Sequence, residues 1–218
     1  IMDQFAVVKG QANQLVLLNC ESLEYELVPA DFDPYTLILL NTNVTHNLAG
    51  SEYNQRRADC EQALEIIQKR YPEYRALTMV PATVLAEFKT SMPPISYQRA
   101  AYVIAENQRT LNTVEALHKK DFKIVGACMY ASHKGLSREY EVSCPELDFL
   151  VDYTQNLEAI LGARMMGGGF GGCTINLIHK NSVAEFITEI SAAYATQFNK
   201  KLTAIPIRVG DGVKKKEA

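Results

Sequence analysis

Residues 167–172 read Gly-Gly-Gly-Phe-Gly-Gly, and this run constrains the fold more than any other part of the sequence. Glycine adopts positive φ angles that other residues avoid, so the run predicts a tight turn that can closely approach another group. Three of these glycines also fit the pattern G-x-G-x-x-G. That pattern indicates a dinucleotide site only between a preceding strand and a following helix. Here residues 147–161 read as a helix and residues 173–178 as a strand, which argues against such a site.

A glycine-rich turn that enters a strand has two interpretations. Its backbone N–H groups can bind a phosphate directly or pack against another phosphate-binding loop. Alternatively, the turn has no role beyond reversing the chain, since glycine commonly interrupts regular structure. The residues of the turn alone leave both interpretations open.

Residues 164–173, Arg-Met-Met-Gly-Gly-Gly-Phe-Gly-Gly-Cys, resemble the third motif of the GHMP small-molecule kinases in its galactokinase form. Four further stretches resemble the same family in the same order: Ile1–Phe5, Asn41–Tyr53 with Arg56 and Arg57, Ser132-His133 with Leu136, and Tyr140–Asp148. The resemblance covers nearly the whole chain. It has two local departures, because Met166 stands where the family usually has Thr and Thr45 where a basic residue is common.

The resemblance also implies segments that these residues lack. A galactokinase begins with a sugar-recognition stretch and continues with a Gly-Leu-Ser-Ser-Ser phosphate loop, and neither occurs among the 218 residues. We therefore expect residues 1–218 to be a single domain, the C-terminal half of a galactokinase-like enzyme whose N-terminal half is absent. We also expect this half to be inactive alone.

The resemblance implies that the parent enzyme transfers the γ-phosphoryl group of ATP to galactose and forms galactose 1-phosphate. By the same resemblance, Asp3 is the catalytic carboxylate, because a carboxylate can orient an acceptor hydroxyl and accept its proton. Tyr53 is implied to bind the sugar, since a phenol can both donate and accept a hydrogen bond. Without the resemblance, Asp3 is a solvated charge near a chain end that is expected to fray, and Tyr53 is a packing residue.

The glycines are implied to lie under the phosphate loop of the absent half and to support ATP binding there. They are Gly167, Gly168, Gly169, Gly171 and Gly172. Whether they contact ATP or only brace the loop stays open. Mg²⁺ is expected with ATP, its ligands are expected in the absent half, and no metal site is expected in this chain. Two alternatives stay open: a related GHMP kinase for N-acetylgalactosamine or arabinose, and a non-catalytic regulator that senses galactose and ATP.

Charge and cysteine content argue against several other classes of function. A net charge of −3 at pH 7 does not suggest a nucleic-acid partner, and no apolar run reaches the roughly 18 residues of a membrane-spanning helix. The five cysteines form no Cys-x-x-Cys pair and the four histidines are isolated. This usage predicts free thiols in a cytoplasmic protein and no zinc site. It leaves the oligomeric state open.

Hydrophobic periodicity predicts strands first, then a block of helices, then a strand–helix–strand unit. The predicted strands are 14–20, 23–28, 36–40, 173–178 and 204–209. The predicted helices are 51–71, 83–88, 96–120, a segment from 121 toward 133, 145–161 with Gly162 as its C-terminal cap, and 183–198. This order predicts an α+β fold in which helices cover a small antiparallel sheet.

Overall fold

A computed structural model gives the structure of the chain over residues 2–44 and 49–213, with only the helical backbone for residues 49–51. Within these residues the helices are α1 (Met2–Lys9), α2 (Ala49–Gln68), α3 (Ala82–Ala86), α4 (Pro94–His118), α5 (Phe122–Arg138), α6 (Pro145–Thr154) and α7 (Val183–Phe198). The strands are β1 (Gln14–Leu18), β2 (Tyr25–Pro29), β3 (Tyr35–Asn41), β4 (Ile160–Met165), β5 (Cys173–His179) and β6 (Thr203–Pro206). Two short 3₁₀ turns cover Leu77–Met79 and Lys180–Ser182.

Four strands form an antiparallel sheet in the order β4-β5-β3-β6. The inner strand β3 pairs on both sides, so Leu39 faces Ile175 of β5 and Ile205 of β6. The strands β1 and β2 form a separate antiparallel ribbon, in which Val16 pairs with Leu27. The predicted α+β fold with a small antiparallel sheet is therefore confirmed, and so is the predicted pairing of the first two strands.

Helices cover both faces of the four-stranded sheet. Leu177 and Ile178 are neighbours in β5, and successive side chains of a strand point to opposite faces. Ile178 packs with Leu150 of α6 and Ile190 of α7 on one face, while Leu177 packs with Leu117 of α4 on the other. Both faces of β5 are therefore buried, and its polar residues Thr174 and Asn176 are buried as well.

The predicted helix over residues 145–161 is wrong in its second half. The helix α6 ends at Thr154 and strand β4 follows, so Gly162 lies inside a strand and caps no helix. A Cβ added at Gly162 would lie 2.5 Å from Cα of Gly126 in α5, and one added at Gly126 would overlap the carbonyl group of Leu161. Gly162 is therefore required for the close approach of a helix to a strand.

Several element boundaries follow from local chemistry. Pro145 occupies the first position of α6, where its missing N–H breaks no helical hydrogen bond. The Asp121 side chain accepts a hydrogen bond from Ile124 N at 3.2 Å and caps α5, while Asn199 ends α7 in the left-handed conformation. The helix α1 has no counterpart among the predicted elements, because none of its residues is buried and no apolar stripe marks it.

Candidate functional site

The glycine-rich run forms the turn of a β-hairpin between β4 and β5. Positive φ angles occur at Gly167, Gly169, Gly171 and Gly172, and at the non-glycine residue Phe170. A strand precedes the turn, which corrects the helix expected there. Another strand follows it directly, so the strand–glycine–helix order of a dinucleotide site does not occur at this turn.

The second half of the turn packs closely against a segment that precedes α6. A Cβ atom added at Gly169 would overlap the carbonyl oxygen of Val142 and would lie 2.9 Å from Cε of Met165. The same carbonyl oxygen accepts a hydrogen bond from Phe170 N at 2.7 Å. Gly169 is therefore required both for its positive φ and for the close approach to Val142.

The end of the turn is held by residues that follow β3. Gly172 N donates to the carbonyl oxygen of Val44 at 3.2 Å, and Thr42 donates to the carbonyl oxygen of Gly172 through its N (2.9 Å) and its Oγ1 (2.8 Å). Tyr194 of α7 donates from its hydroxyl to the carbonyl oxygen of Thr42 at 2.9 Å. Burial raises the pKa of Tyr194 to about 12, so the phenol keeps its proton at neutral pH. The turn is thus fixed to the sheet and, through Thr42, to α7.

The turn also has backbone N–H groups, most of them in its first half, that no described residue accepts. A Cβ added at Gly167, Gly168 or Gly172 would meet no heavy atom within 4 Å. The N–H groups of Gly167, Gly168, Gly169 and Gly171 donate to no residue that the structure describes. An open surface with several such N–H groups suits an anion or the backbone of a second loop.

Two arginines fix the segment that carries Val142. Arg99 in α4 is only 2% exposed; it donates to the carbonyl oxygen of Glu139 and pairs with the carboxylate of Glu141. Arg56 in α2 donates from Nε to the carbonyl oxygen of Tyr140 and from Nη2 to that of Glu141, both at 2.9 Å. The hydrogen bond from Arg99 lowers the pKa of Glu141, which therefore stays ionised. The glycine turn is in this way connected to α2.

Tyr53 lies near the start of α2, three residues before Arg56, and 51% of its surface is exposed. Its hydroxyl makes no hydrogen bond to any described residue. The neighbouring Arg57 pairs with Glu61, with 2.7 Å between Arg57 Nε and Glu61 Oε1. Part of the motif that contains Tyr53, residues 45–48, lies outside the described residues.

Asp3 lies in the first turn of α1, and its side chain is exposed. The fraying expected for Asp3 stays a prediction. The far end of the helix is tied to the C-terminal segment, because Val213 N donates to the carbonyl oxygen of Val7 at 2.7 Å, and Phe5 stacks edge-on against Tyr25. Across the described residues, Asp3 makes no hydrogen bond, ion pair or ring contact with Tyr53 or with the glycine turn. The structure thus connects Tyr53 to the turn through Arg56, and it does not bring Asp3 to them.

Sequence reasoning assigned no role to Arg99, His133 or Asp148. Arg99 lies within a long helical pattern and no local signal marks it as buried. His133 and Asp148 both lie in stretches that resemble the family, and their side chains meet with 3.1 Å between Nε2 and Oδ1. Membership of the same ordered set of motifs was the available signal, but their pairing depends on the packing of α5 against α6.

The described residues contain neither a metal-binding cluster nor a membrane-spanning helix. Over residues 2–44 and 49–213, no three His, Cys, Asp or Glu side chains are grouped so that they could hold a metal ion. In the same part of the chain, no helix combines the length and the apolar character needed to cross a bilayer.

Comparison with known proteins defines the class first. Residues 113–196 match the family model described as GHMP kinases C terminal. This region covers the end of α4, then α5, α6 and the β4–β5 hairpin with its glycine turn, and most of α7. Residues 113–196 are therefore similar to the C-terminal domain of GHMP kinases.

Within that class, the chain is similar to galactokinases over nearly all of its length. It is 40% identical over 215 residues to the galactokinase of Thermotoga neapolitana, a match that covers 99% of this chain and 59% of that protein. It is 39% identical over 223 residues to the galactokinase of Exiguobacterium sibiricum, with 100% and 55% covered. The chain thus spans little more than half the length of the curated relatives it matches.

Among solved structures, the chain is similar to Lactococcus lactis galactokinase complexed with galactose. The TM-score is 0.91 at 31% sequence identity, and the match covers 97% of this chain and 54% of that one. The described fold is therefore similar to the matching part of that structure.

Proposed function

We propose that this chain is the C-terminal half of a galactokinase, which transfers the γ-phosphoryl group of ATP to the anomeric hydroxyl of galactose. The observation that supports this proposal most is the similarity to named galactokinases over 99% of the chain. The TM-score of 0.91 to a galactokinase complexed with galactose supports it independently. We also propose that residues 1–218 act as one domain beside an N-terminal half that completes the site.

Tyr53 is the proposed sugar contact. Its half-exposed ring can lie against the sugar, and its hydroxyl has no competing partner among the described residues. The helix that carries it is joined by Arg56 to the segment on which the glycine turn rests. A sugar bound at Tyr53 and a phosphate bound near the turn would therefore share one rigid support.

The glycine turn is the proposed support for ATP. The N–H groups of its first half, which donate to no described residue, suit a phosphate or a phosphate-binding loop. ATP supplies the transferred phosphoryl group, and Mg²⁺ would neutralise its charge. No three His, Cys, Asp or Glu side chains of the described residues are grouped to hold a metal ion, and we propose that the ligands of Mg²⁺ come from the other half of the enzyme.

Asp3 is the proposed catalytic carboxylate. In phosphoryl transfer the protein mainly positions the reactants and stabilises charge, and a carboxylate beside the acceptor hydroxyl accepts its proton. Its exposed position at the start of α1 leaves the carboxylate free to face the other half of the enzyme. The free thiols among the described cysteines suit a cytoplasmic enzyme.

A sugar panel with a matched variant tests the proposal. The full-length protein, supplied with ATP and Mg²⁺, should phosphorylate galactose in preference to N-acetylgalactosamine and arabinose. Asp3→Asn should lower kcat by about 10²–10⁴-fold while ATP affinity is retained. A preference for another sugar would assign a different GHMP kinase, and binding of galactose and ATP without turnover would indicate a regulator.

A further inference from the structure

The strand β4 ends at Met165, immediately before the glycine turn, and it forms one edge of the four-stranded sheet. On the side away from β5, Met165 N donates a hydrogen bond to Nδ1 of His133 at 3.1 Å. Both residues are buried, with 0% and 4% of their surfaces exposed. The imidazole therefore accepts a backbone hydrogen bond that a neighbouring strand would accept if the sheet continued beyond this edge.

The contact with Met165 fixes the tautomer of the His133 ring. Because Nδ1 accepts a hydrogen bond, its lone pair is in use and the ring proton lies on Nε2. Nε2 in turn lies 3.1 Å from Oδ1 of Asp148. Neither of these two atoms makes a well-directed hydrogen bond to a described residue, so the pairing is mainly electrostatic.

The carboxylate of Asp148 is held in its ionised form. Burial raises its pKa, but the contacts with His133, Ser143 and Ser137 together lower the pKa below its usual value. Ser137 Oγ donates to Asp148 Oδ2 at 2.9 Å. An ionised Asp148 favours the proton on His133 Nε2 and so keeps Nδ1 free to accept from Met165.

The hydrogen bond from Met165 N to His133 supports the first half of the turn, which has few other contacts. Val142 and Val44 hold residues 169–172, as described above. Before them, Gly167 and Gly168 lie in open space, since a Cβ added at either would meet no heavy atom within 4 Å. Two other hydrogen bonds hold the entry: Met166 N donates to the carbonyl oxygen of Cys173 at 3.0 Å, and Arg164 Nε donates to the carbonyl oxygen of Met165 at 3.0 Å. The direction in which the chain enters the turn therefore depends on Met165.

We propose that His133 is a positioning residue that fixes the entry half of the glycine turn, and that Asp148 supports it by setting the tautomer of the ring. The consequence for ATP rests on the proposed function, in which the turn supports the phosphates. In that function His133 touches no substrate. It acts through the backbone of Met165, so its loss should weaken ATP use and leave galactose use unchanged.

Two substitutions test the roles of the two ring nitrogens of His133 separately. In His133→Asn the amide oxygen can occupy the position of Nδ1 and still accept from Met165 N. In His133→Gln the longer side chain reaches toward Asp148 and the acceptor for Met165 is lost. His179→Gln is the matched control, because Nδ1 of His179 also accepts a backbone hydrogen bond, from Asn181 N at 3.3 Å, but at the opposite end of β5.

The experiment uses the full-length protein and two measurements. Steady-state kinetics should show that His133→Gln raises KM for ATP about tenfold, the effect of one lost buried hydrogen bond. KM for galactose and kcat should change less than about twofold. His133→Asn and His179→Gln should stay near the wild-type value. Hydrogen exchange of the peptide covering residues 165–172, measured without ligand, should accelerate about tenfold in His133→Gln only.

The outcomes separate the inference from the function on which it rests. Equal effects of His133→Asn and His133→Gln, or unchanged exchange of residues 165–172 in His133→Gln, overturn the positioning role. Faster exchange with an unchanged KM for ATP supports the conclusion that His133 positions the turn. The same result overturns the proposal that the turn supports ATP binding. If His133→Gln does not fold, Asp148→Asn provides the same exchange measurement, and unchanged exchange there overturns the role of Asp148.

Discussion

Substituting Gly169 by Ala tests the geometry of the turn most sharply, because Gly168→Ala is a control one residue away. Gly169 has a φ of 88°, whereas Gly168 has no positive φ. A non-glycine residue in left-handed backbone costs roughly 1–2 kcal/mol. The overlap of the new Cβ with the Val142 carbonyl also breaks the hydrogen bond from Phe170 N, which costs about 1–3 kcal/mol when the groups stay buried and unpaired.

Together these costs predict that Gly169→Ala lowers the free energy of unfolding by about 2–5 kcal/mol. For a chain of this length, that loss corresponds to a decrease in Tm of about 4–20 °C. Gly168→Ala has space for its methyl group. It should be neutral or should stabilise the chain by about 0.4–1 kcal/mol, because alanine restricts the unfolded chain.

The assay is urea unfolding of both variants, followed by circular dichroism and compared at equal m-values. Equal stabilities of Gly169→Ala and Gly168→Ala would refute the packing argument. The same two variants in the full-length protein test the function of the turn, since Gly169→Ala should also raise KM for ATP. Lower stability with unchanged ATP kinetics in the folded fraction would mean that the turn is purely structural.

Three further predictions follow from the contacts around the turn. Arg56→Lys keeps the charge but loses the two hydrogen bonds to the 140–141 carbonyl groups, and calorimetry should show that the free energy of unfolding decreases by about 1–3 kcal/mol. Arg57→Lys, at an exposed pair, should change the free energy of unfolding by less than about 0.5 kcal/mol. Tyr53→Phe should raise KM for galactose, as one sugar hydroxyl loses its partner, and an effect on KM for ATP alone would remove Tyr53 from the sugar site. Asp148→Asn should lower stability at pH 7, and the difference in stability from wild type should shrink as the pH falls below about 4. The reason is that a carboxyl with a lowered folded-state pKa stabilises the fold only while it is ionised. A difference in stability that is constant between pH 7 and pH 3 would contradict this.

Regular elements with a marked periodicity were predictable from the sequence. The long helix α4 and the strand β3 lie close to their predicted positions because buried residues recur along them at helical or strand spacing. The strand β4 was missed because Leu157 and Leu161 continue the apolar spacing of α6 beyond its end. The close contact between Gly162 and Gly126 decides the structure there, and it joins positions that are far apart in sequence.

The candidate site was predictable only in its parts. The glycine run predicted a turn with positive φ, and the structure has one. Its supports are long-range contacts to Val142 and Val44, which no local pattern reveals. The burial of Arg99 and the contact between His133 and Asp148 likewise depend on how α4, α5 and α6 pack, so these residues emerge only from the fold.

The most direct test of the central proposal is the product formed from ATP and galactose, observed by ³¹P NMR. The full-length protein, with ATP, Mg²⁺ and galactose, should produce the resonance of galactose 1-phosphate together with ADP. The 218-residue chain alone should produce neither above a blank, because the proposed site needs the other half of the enzyme. Turnover by the 218-residue chain, or no galactose 1-phosphate from a folded full-length protein that binds both substrates, would contradict the account.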